Sequence, residues 1–260
     1  MPDRIDLKVL RCDGPGKPQY WQEFSIPYRP NMNVISVLQA VQRNPVTKDG
    51  KRVAPVVWDC NCLEEVCGAC TMIINGRVRQ ACSALIDKLE LPLELRPMTK
   101  FPTIRDLWVD RQRMFNSLIR VKAWVPIDGT YDLGPGPQMA EEKRALAYDL
   151  SRCMTCGCCL EACPQFTLTN QFVGAAAIQQ ALLFTSHPTA QMNATERIES
   201  LMGPDGLVGC GNAQNCVEVC PKELPLVESI STMQRKAIVH GVKRFLTSGR
   251  KSAAGAGPAG

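Results

Sequence analysis

The chain has 260 residues, 45% of them hydrophobic and 21% charged, with a formal net charge of +5. These values suit one or two globular domains with a real core and speak against a disordered, collagen-like or coiled-coil protein. The departure from ordinary usage is cysteine, at 14 residues. No Lys/Arg block with interleaved aromatics accompanies the positive charge, so nucleic acid is not an expected partner. Met1-Pro2-Asp3-Arg4 opens no charged-then-apolar leader, and no apolar run approaches the roughly 20 residues of a spanning helix. In a reducing compartment, clustered cysteines point to metal or redox chemistry rather than disulfides.

In chain order, Ile5, Leu7 and Val9 alternate, and alternation returns over Trp21 to Ile26 after Gly14-Pro15-Gly16, which predicts two strands. Asn33 is a good N-cap for a short helix carrying Val34, Val37, Leu38 and Val41. Thr71 to Ile74 and Arg77 to Gln80 flank Asn75-Gly76, a strong hairpin signal, and Leu91 to Leu95 reads as a further strand. This order is that of a β-grasp ferredoxin. Arg105 to Ala123 places Leu107, Met114, Leu118 and Val121 at helical spacing, and the Gly/Pro-rich Val125 to Met139 reads as a connector. Ala140 to Leu150, Val173 to Phe184, Ala194 to Met202 and Leu226 to Phe245 are helical candidates. The expected fold is therefore α+β: an N-terminal β-grasp plant-type ferredoxin domain over residues 1–105, then an α-helical bacterial-ferredoxin-like domain over residues 106–247. The Gly/Ala/Ser-rich residues 248–260 are expected to be a disordered tail.

Apart from Cys12, the cysteines fall in three groups. Cys62, Cys67, Cys70 and Cys82 follow the C-x4-C-x2-C…C spacing of a plant-type 2Fe–2S site. Thiolates are the soft ligands such clusters require, and Gly68 spares a Cβ where the backbone bends around the inorganic core. A thioredoxin-like dithiol at Cys67 and Cys70, or a four-cysteine zinc site, are the competing readings. Cys60, two residues before Cys62, falls outside the register and reads as a spectator. Cys153, Cys156, Cys159 and Cys163-Pro164 follow the bacterial C-x2-C-x2-C-x3-C-P run, in which the fourth cysteine ligates the other cluster. Cys158 lies outside that run and reads as a packed thiol.

Cys210, Cys216 and Cys220-Pro221 repeat the template, with Ala213 where the middle cysteine belongs. By the crossing rule, Cys153, Cys156, Cys159 and Cys220 complete a 4Fe–4S site. Cys163, Cys210 and Cys216 supply only three thiolates, which fits 3Fe–4S. Eleven ligand thiolates on oxidised cores contribute about −6, bringing the chain's +5 to about −1. The basic sequence is largely counter-charge for its own clusters.

Three clusters in this order, together with Arg105-Asp106-Leu107, Cys153-Met-Thr-Cys156-Gly and Asn215-Cys216-Val217 through Cys220-Pro221-Lys222, resemble the iron–sulfur subunit of succinate dehydrogenase and fumarate reductase. Lys122-Ala123-Trp124 and Asp128 to Pro137 look like the branch found in Gram-positive and some anaerobic bacteria. The resemblance implies an FAD-containing flavoprotein partner that interconverts succinate and fumarate. It also implies a membrane-anchor cytochrome b subunit with haem b, and a quinone near the 3Fe–4S cluster. Location would be peripheral, on the cytoplasmic face of the bacterial inner membrane. In the ubiquinone branch a Trp and a His stand at the positions of Leu168 and Gly211, so these, with Pro164, are the expected quinone-proximal residues and point to menaquinone. His187 and His240 read as surface or packing residues. The rival readings are quinol:fumarate reductase, and a soluble multi-cluster ferredoxin or redox sensor.

Overall fold

A computed structural model describes residues 3–126 and 137–253. Strands β1 (Arg4–Cys12) and β2 (Gln19–Pro27) pair antiparallel with Leu7 opposite Phe24. Along β1 burial alternates residue by residue, so Ile5, Leu7 and Val9 all face one core, the period-2 consequence of the pleat. Asn33 caps α1 (Val34–Arg43), its side-chain oxygen accepting from the Ser36 N–H at 2.9 Å. The helix buries Val34, Ile35, Val37, Leu38 and Val41 against the sheet, each contributing about 1.5–3 kcal/mol relative to exposure.

The expected hairpin joins β3 (Thr71–Ile74) to β4 (Arg77–Gln80). Asn75 and Gly76 both take positive φ, 49° and 78°, as a type I′ turn requires. The Asn75 side chain also accepts from the Glu94 N–H at 2.7 Å, which registers the turn against β5 (Leu93–Arg96). The sheet runs β2-β1-β5-β3-β4, with β1 and β5 parallel. This is the mixed sheet with a packed helix expected of the N-terminal domain.

The helix expected from Arg105 begins later. Residues Thr103–Arg105 and Trp108–Val109 instead form a small ribbon, β6 and β7, and α2 spans Gln112–Arg120. The reason lies at Asp106. It sits at φ 46° and is fully buried, where its carboxylate grips Arg11 at 3.0 and 2.9 Å. The same carboxylate accepts from the N–H groups of Cys12 at 3.2 Å and Val57 at 2.9 Å. Leu107, which matched the helical spacing, packs into the first core, whereas Val109 and Met114 belong to the second.

The second core is helical. Helix α3 (Glu141–Ser151) leads into the cysteine run, which contains the single-turn α4 (Cys158–Glu161). Helix α5 (Gly174–Ser186) packs against α3, α4 and α8 (Leu226–Ala253). Between them lie α6 (Ala194–Ser200) and the single-turn α7 (Asn215–Glu218). Helix α5 buries residues around most of its circumference, including Ala175, Ala176, Ala177, Ile178 and Leu182. That accounts for part of the 34-residue stretch without formal charge from Ala162 to Thr195. Of the connector expected over Val125 to Met139, residues 127–136 lie outside the described residues. Helix α8 continues to Ala253, into the stretch whose composition suggested a disordered tail, and residues 254–260 lie outside the described ones.

Among these features the Arg11–Asp106 pair makes the sharpest stability prediction. Asp106→Leu leaves a buried guanidinium without its carboxylate and is expected to cost about 3–5 kcal/mol. Adding Arg11→Met should recover part of that loss, because the stranded charge is then gone. Urea-unfolding midpoints followed by tryptophan fluorescence check both; a double variant no more stable than the single one contradicts this account.

Candidate metal centres

The first cysteine loop precedes β3. Its Cys62 sulfur accepts from the N–H groups of Glu64, Val66 and Cys67 at 3.4, 3.3 and 3.3 Å. Leu63 and Glu65 adopt left-handed φ of 62° and 55°, which turns successive N–H groups inward into a small anion-binding concavity. The Glu64 N–H, then that of Val66, draw the Cys62 thiol down to about 7. A second sulfur, that of Cys67, accepts from the Cys62 and Ala69 N–H groups at 3.5 and 3.4 Å.

The hairpin brings the other two thiols together. Cys70 and Cys82 immediately precede and closely follow the paired strands, Ala81 N–H bonds the Cys70 carbonyl at 3.1 Å, and the two side chains touch. Burial pushes the Cys70 thiol up to about 12. Asn33 steadies the Cys82 carbonyl at 2.9 Å. Cys60 lies near the same thiols, but burial, then Asp59 and the neighbouring thiols, push it up. The register that selects Cys62 over Cys60 thus has an electrostatic counterpart.

Across the second domain the cysteine runs interleave. Cys159 is buried; that burial and then the neighbouring thiols of Cys156, Cys153, Cys220 and Cys216 push it well up. Cys153 likewise rises through burial, with Cys156 and Cys220 adding to it. Cys216 rises through burial and then through its neighbours Cys163 and Cys210. Cys220 thus lies near Cys153 and Cys159, and Cys163 near Cys210 and Cys216, the last also a neighbour of Cys159. Cys163, Cys210, Cys216 and Ala213 line one cavity. Among the described residues no three Cys, His, Asp or Glu donors close on the volume of a single ion. These all-sulfur sets, held around a cavity and fed by backbone N–H groups, fit iron–sulfur clusters, whose iron corners each take a thiolate.

The surrounding side chains fix these loops. Buried Glu161 accepts from Thr99 N–H at 2.9 Å, Thr99 Oγ1 at 2.6 Å and Lys100 N–H at 3.1 Å. The Lys100 ammonium donates to the Cys163 carbonyl. Arg113 stacks 3.9 Å from the Phe166 ring centroid and donates to the Thr167 carbonyl and, at 3.1 Å, to Asn170 Oδ1. Cys158 is a packed thiol: it is fully buried, bonds the Cys156 sulfur and accepts from Gln80 Nε2 at 3.3 Å. The hydrogen bond from Cys158 draws Cys156 down to about 7. Cys12 is buried too, its thiol donating to the Gly14 carbonyl at 3.0 Å.

Gly68 has φ 68°, as the expected bend of the loop requires, and a Cβ there would also meet Cys156, at 2.5 Å from its Cα, so the glycine serves the approach of the second cysteine loop too. Pro164 and Gly211 line the same cavity as Ala213, and Leu168 stands 60% exposed on the adjoining loop. The space beside Gly211 holds the Gln165 amide, 2.7 Å from where a Cβ would be. His187 accepts from the Thr189 N–H at 3.3 Å, and His240 pairs with Glu199 at 3.1 Å, both outside the cysteine groups. Sequence reasoning missed Gln80, Arg111, Arg113 and Glu161. Only Gln80, inward-facing by strand alternation, carried a signal.

Comparison with known proteins agrees with this layout. Residues 6–116 match the family described as "2Fe-2S iron-sulfur cluster binding domain", and residues 149–224 match "4Fe-4S dicluster domain". The chain is 56% identical over 246 residues to the succinate dehydrogenase iron-sulfur subunit of Bacillus subtilis, covering 95% of this chain and 97% of that one. It is 32% identical over 244 residues to the fumarate reductase iron-sulfur subunit of Wolinella succinogenes, covering 90% and 97%. A chain of the structure titled "Mycobacterium smegmatis Sdh1 complex in the apo form" shares the fold, with TM-score 0.71, 19% identity, and coverage of 91% and 96%. With two cluster-binding domains in tandem and identity along nearly its whole length, the chain belongs to the succinate dehydrogenase and fumarate reductase iron–sulfur subunits and is an electron-transfer component of an oxidoreductase.

Proposed function

We propose that the chain connects an FAD-containing flavoprotein subunit to a membrane quinone in a succinate:quinone oxidoreductase. Its domains would divide near residue 105. Cys62, Cys67, Cys70 and Cys82 would hold a 2Fe–2S cluster; Cys153, Cys156, Cys159 and Cys220 a 4Fe–4S cluster; Cys163, Cys210 and Cys216 a 3Fe–4S cluster. When bound, the clusters supply one-electron redox chemistry between a two-electron flavin and a two-electron quinone. The observation that carries this reading is Ala213 on the wall of the cavity that three thiols share. A cubane corner facing a methyl group has no protein ligand for its iron.

The chain's own residues hold, space and shield these sites. The N–H groups of Glu64, Val66 and Cys67 stabilise negative charge on Cys62, while exposed Leu63 and Val66 and the carboxylates of Glu64 and Glu65 form the outer rim of that loop. This rim is the surface assigned to the flavoprotein. At the other end Leu168, on a loop braced by Arg113, is assigned to a cytochrome b anchor and a menaquinone. No described helix is long and apolar enough to cross a membrane, so attachment at the cytoplasmic face of the inner membrane would be through the anchor subunit. Succinate oxidation is preferred over quinol:fumarate reductase because the 56% identical relative is a succinate dehydrogenase subunit.

Ala213→Cys tests the third site directly. It supplies the missing thiolate, so the oxidised protein should lose its 3Fe–4S EPR signal and rise from about nine to about ten irons per chain. Added negative charge should also lower that site's potential. A wild-type protein that is EPR-silent when oxidised and already carries about ten irons overturns the assignment.

Leu168→Asp tests the membrane side. An unpaired carboxylate against an apolar partner is costly, so the variant complex should detach from membranes or lose quinone reduction while succinate still reduces the flavin. Unchanged quinone reduction removes Leu168 from that surface.

A further inference from the structure

The first cysteine loop and the second meet at one backbone contact. Gly68 has φ 68°, and a Cβ placed on it would lie 2.5 Å from Cys156 Cα, 2.7 Å from Cys156 Cβ and 3.2 Å from Cys156 N. Real Cβ atoms do not approach so closely, so any side chain at 68 must push the loops apart. Gly68 follows Cys67 directly and precedes Cys70 by two residues, while Cys156 belongs to the second thiol group. The contact is also fixed from the sides. The Gly68 carbonyl accepts from Arg111 Nη1 and from Thr71 Oγ1, each at 2.8 Å. Gln80 Nε2 then reaches Thr71 Oγ1 at 3.1 Å and Cys158 Sγ at 3.3 Å, and Cys158 bonds Cys156. Arg111 comes from beyond the last strand of the first domain, so it ties the loop to the start of the second.

We infer that the Gly68–Cys156 contact is where an electron crosses between the first and second metal centres, with Arg111 as the positioning residue that holds it closed. This rests on the ligand sets proposed above. The physical ground is that electronic coupling falls steeply with the gap between donor and acceptor. Two backbones in contact, one carrying Cys156 and the other adjoining Cys67, would offer a path between the two ligand sets broken by a single van der Waals contact. The step makes and breaks no bond. With both centres bound, one would lose one electron and the other would gain it, with no proton transferred. A merely structural glycine would serve domain packing alone, and the two roles differ in what they make measurable.

The experiment uses the assembled complex carrying Gly68→Ala, Arg111→Ala or Arg111→Lys. Iron content and Mössbauer spectra establish first that both centres are loaded in the wild type; absence of either overturns the ligand assignment rather than this inference. In the loaded Gly68→Ala complex, the enhancement of spin relaxation of the reduced first centre by the reduced second centre should fall. Electron arrival at the second centre after rapid flavin reduction should slow severalfold. Arg111→Ala should move both readouts in the same direction by less, and Arg111→Lys, which keeps a cationic donor, should return them towards wild type. If Gly68→Ala does not load its first centre, the arginine pair decides alone. Loaded variants with unchanged relaxation and unchanged transfer rate would show packing only and overturn the inference.

Discussion

Arg11 carries a full positive charge at 1% exposure, and the carboxylate that answers it lies 95 positions away. A buried guanidinium stays folded only if its charge and its donors are all met. Asp106 meets the charge in bidentate fashion, while Gln22 Oε1 and the carbonyls of Ala54 and Pro55 take the remaining donors. Much follows from this one pair. It closes the sheet against the segment that enters the first cysteine loop, through Val57 N–H on the same carboxylate. It also sets where the chain leaves the first domain, so that Arg111, five residues on, arrives over Gly68. Local propensity has no part in this; a residue at φ 46° is held there by partners drawn from two distant stretches, Arg11–Cys12 and Val57.

Long-range partners of that kind also mark the limit of what was legible in the sequence. The strands around Ile5 to Val9, the capped helix after Asn33 and the Asn75-Gly76 hairpin were readable because period, cap and turn chemistry are local. The cysteine spacing was readable because ligand loops have fixed lengths. The start of the helix after Arg105 was not, because Leu107 fits a helical stripe yet belongs to the first core. Single-turn helices at Cys158–Glu161 and Asn215–Glu218 are too short to leave a periodic trace. Gly68 was legible as a bend in its loop, but its contact with Cys156 was not, since that neighbour is 88 positions away and no pattern within the loop names it.

The uncharged stretch from Ala162 to Thr195 gains a different meaning once its surroundings are known. Its carbonyls are served by cations from outside it: Lys100 at Cys163, Arg113 at Thr167 and Phe172, Arg120 at Gln171, and Arg197 at Phe184 and Ala190. Arg197 is itself fully buried and also donates to the carbonyls of Lys122 and Trp124. The segment thus carries no Asp, Glu, Lys or Arg of its own, while its backbone carbonyls hold positive groups that come from outside it. Burial of α5 explains one half of the stretch. The residues before α5, including exposed Leu168, form a loop held by Lys100, Arg113 and Arg120.

The interleaving of the two cysteine runs has a consequence for how the protein is made. Cys220 sits with Cys153, Cys156 and Cys159, and Cys163 with Cys210 and Cys216. During synthesis the first run leaves the ribosome with Cys220 missing from one set and both Cys210 and Cys216 missing from the other, so the sets close only when residues 220 and 216 have emerged. With the proposed ligands, the helical domain cannot receive its iron and sulfide in chain order. It must be loaded late, on a nearly finished polypeptide whose α5 is already placed between the runs. The first domain, whose four thiols all lie before residue 83, is under no such delay.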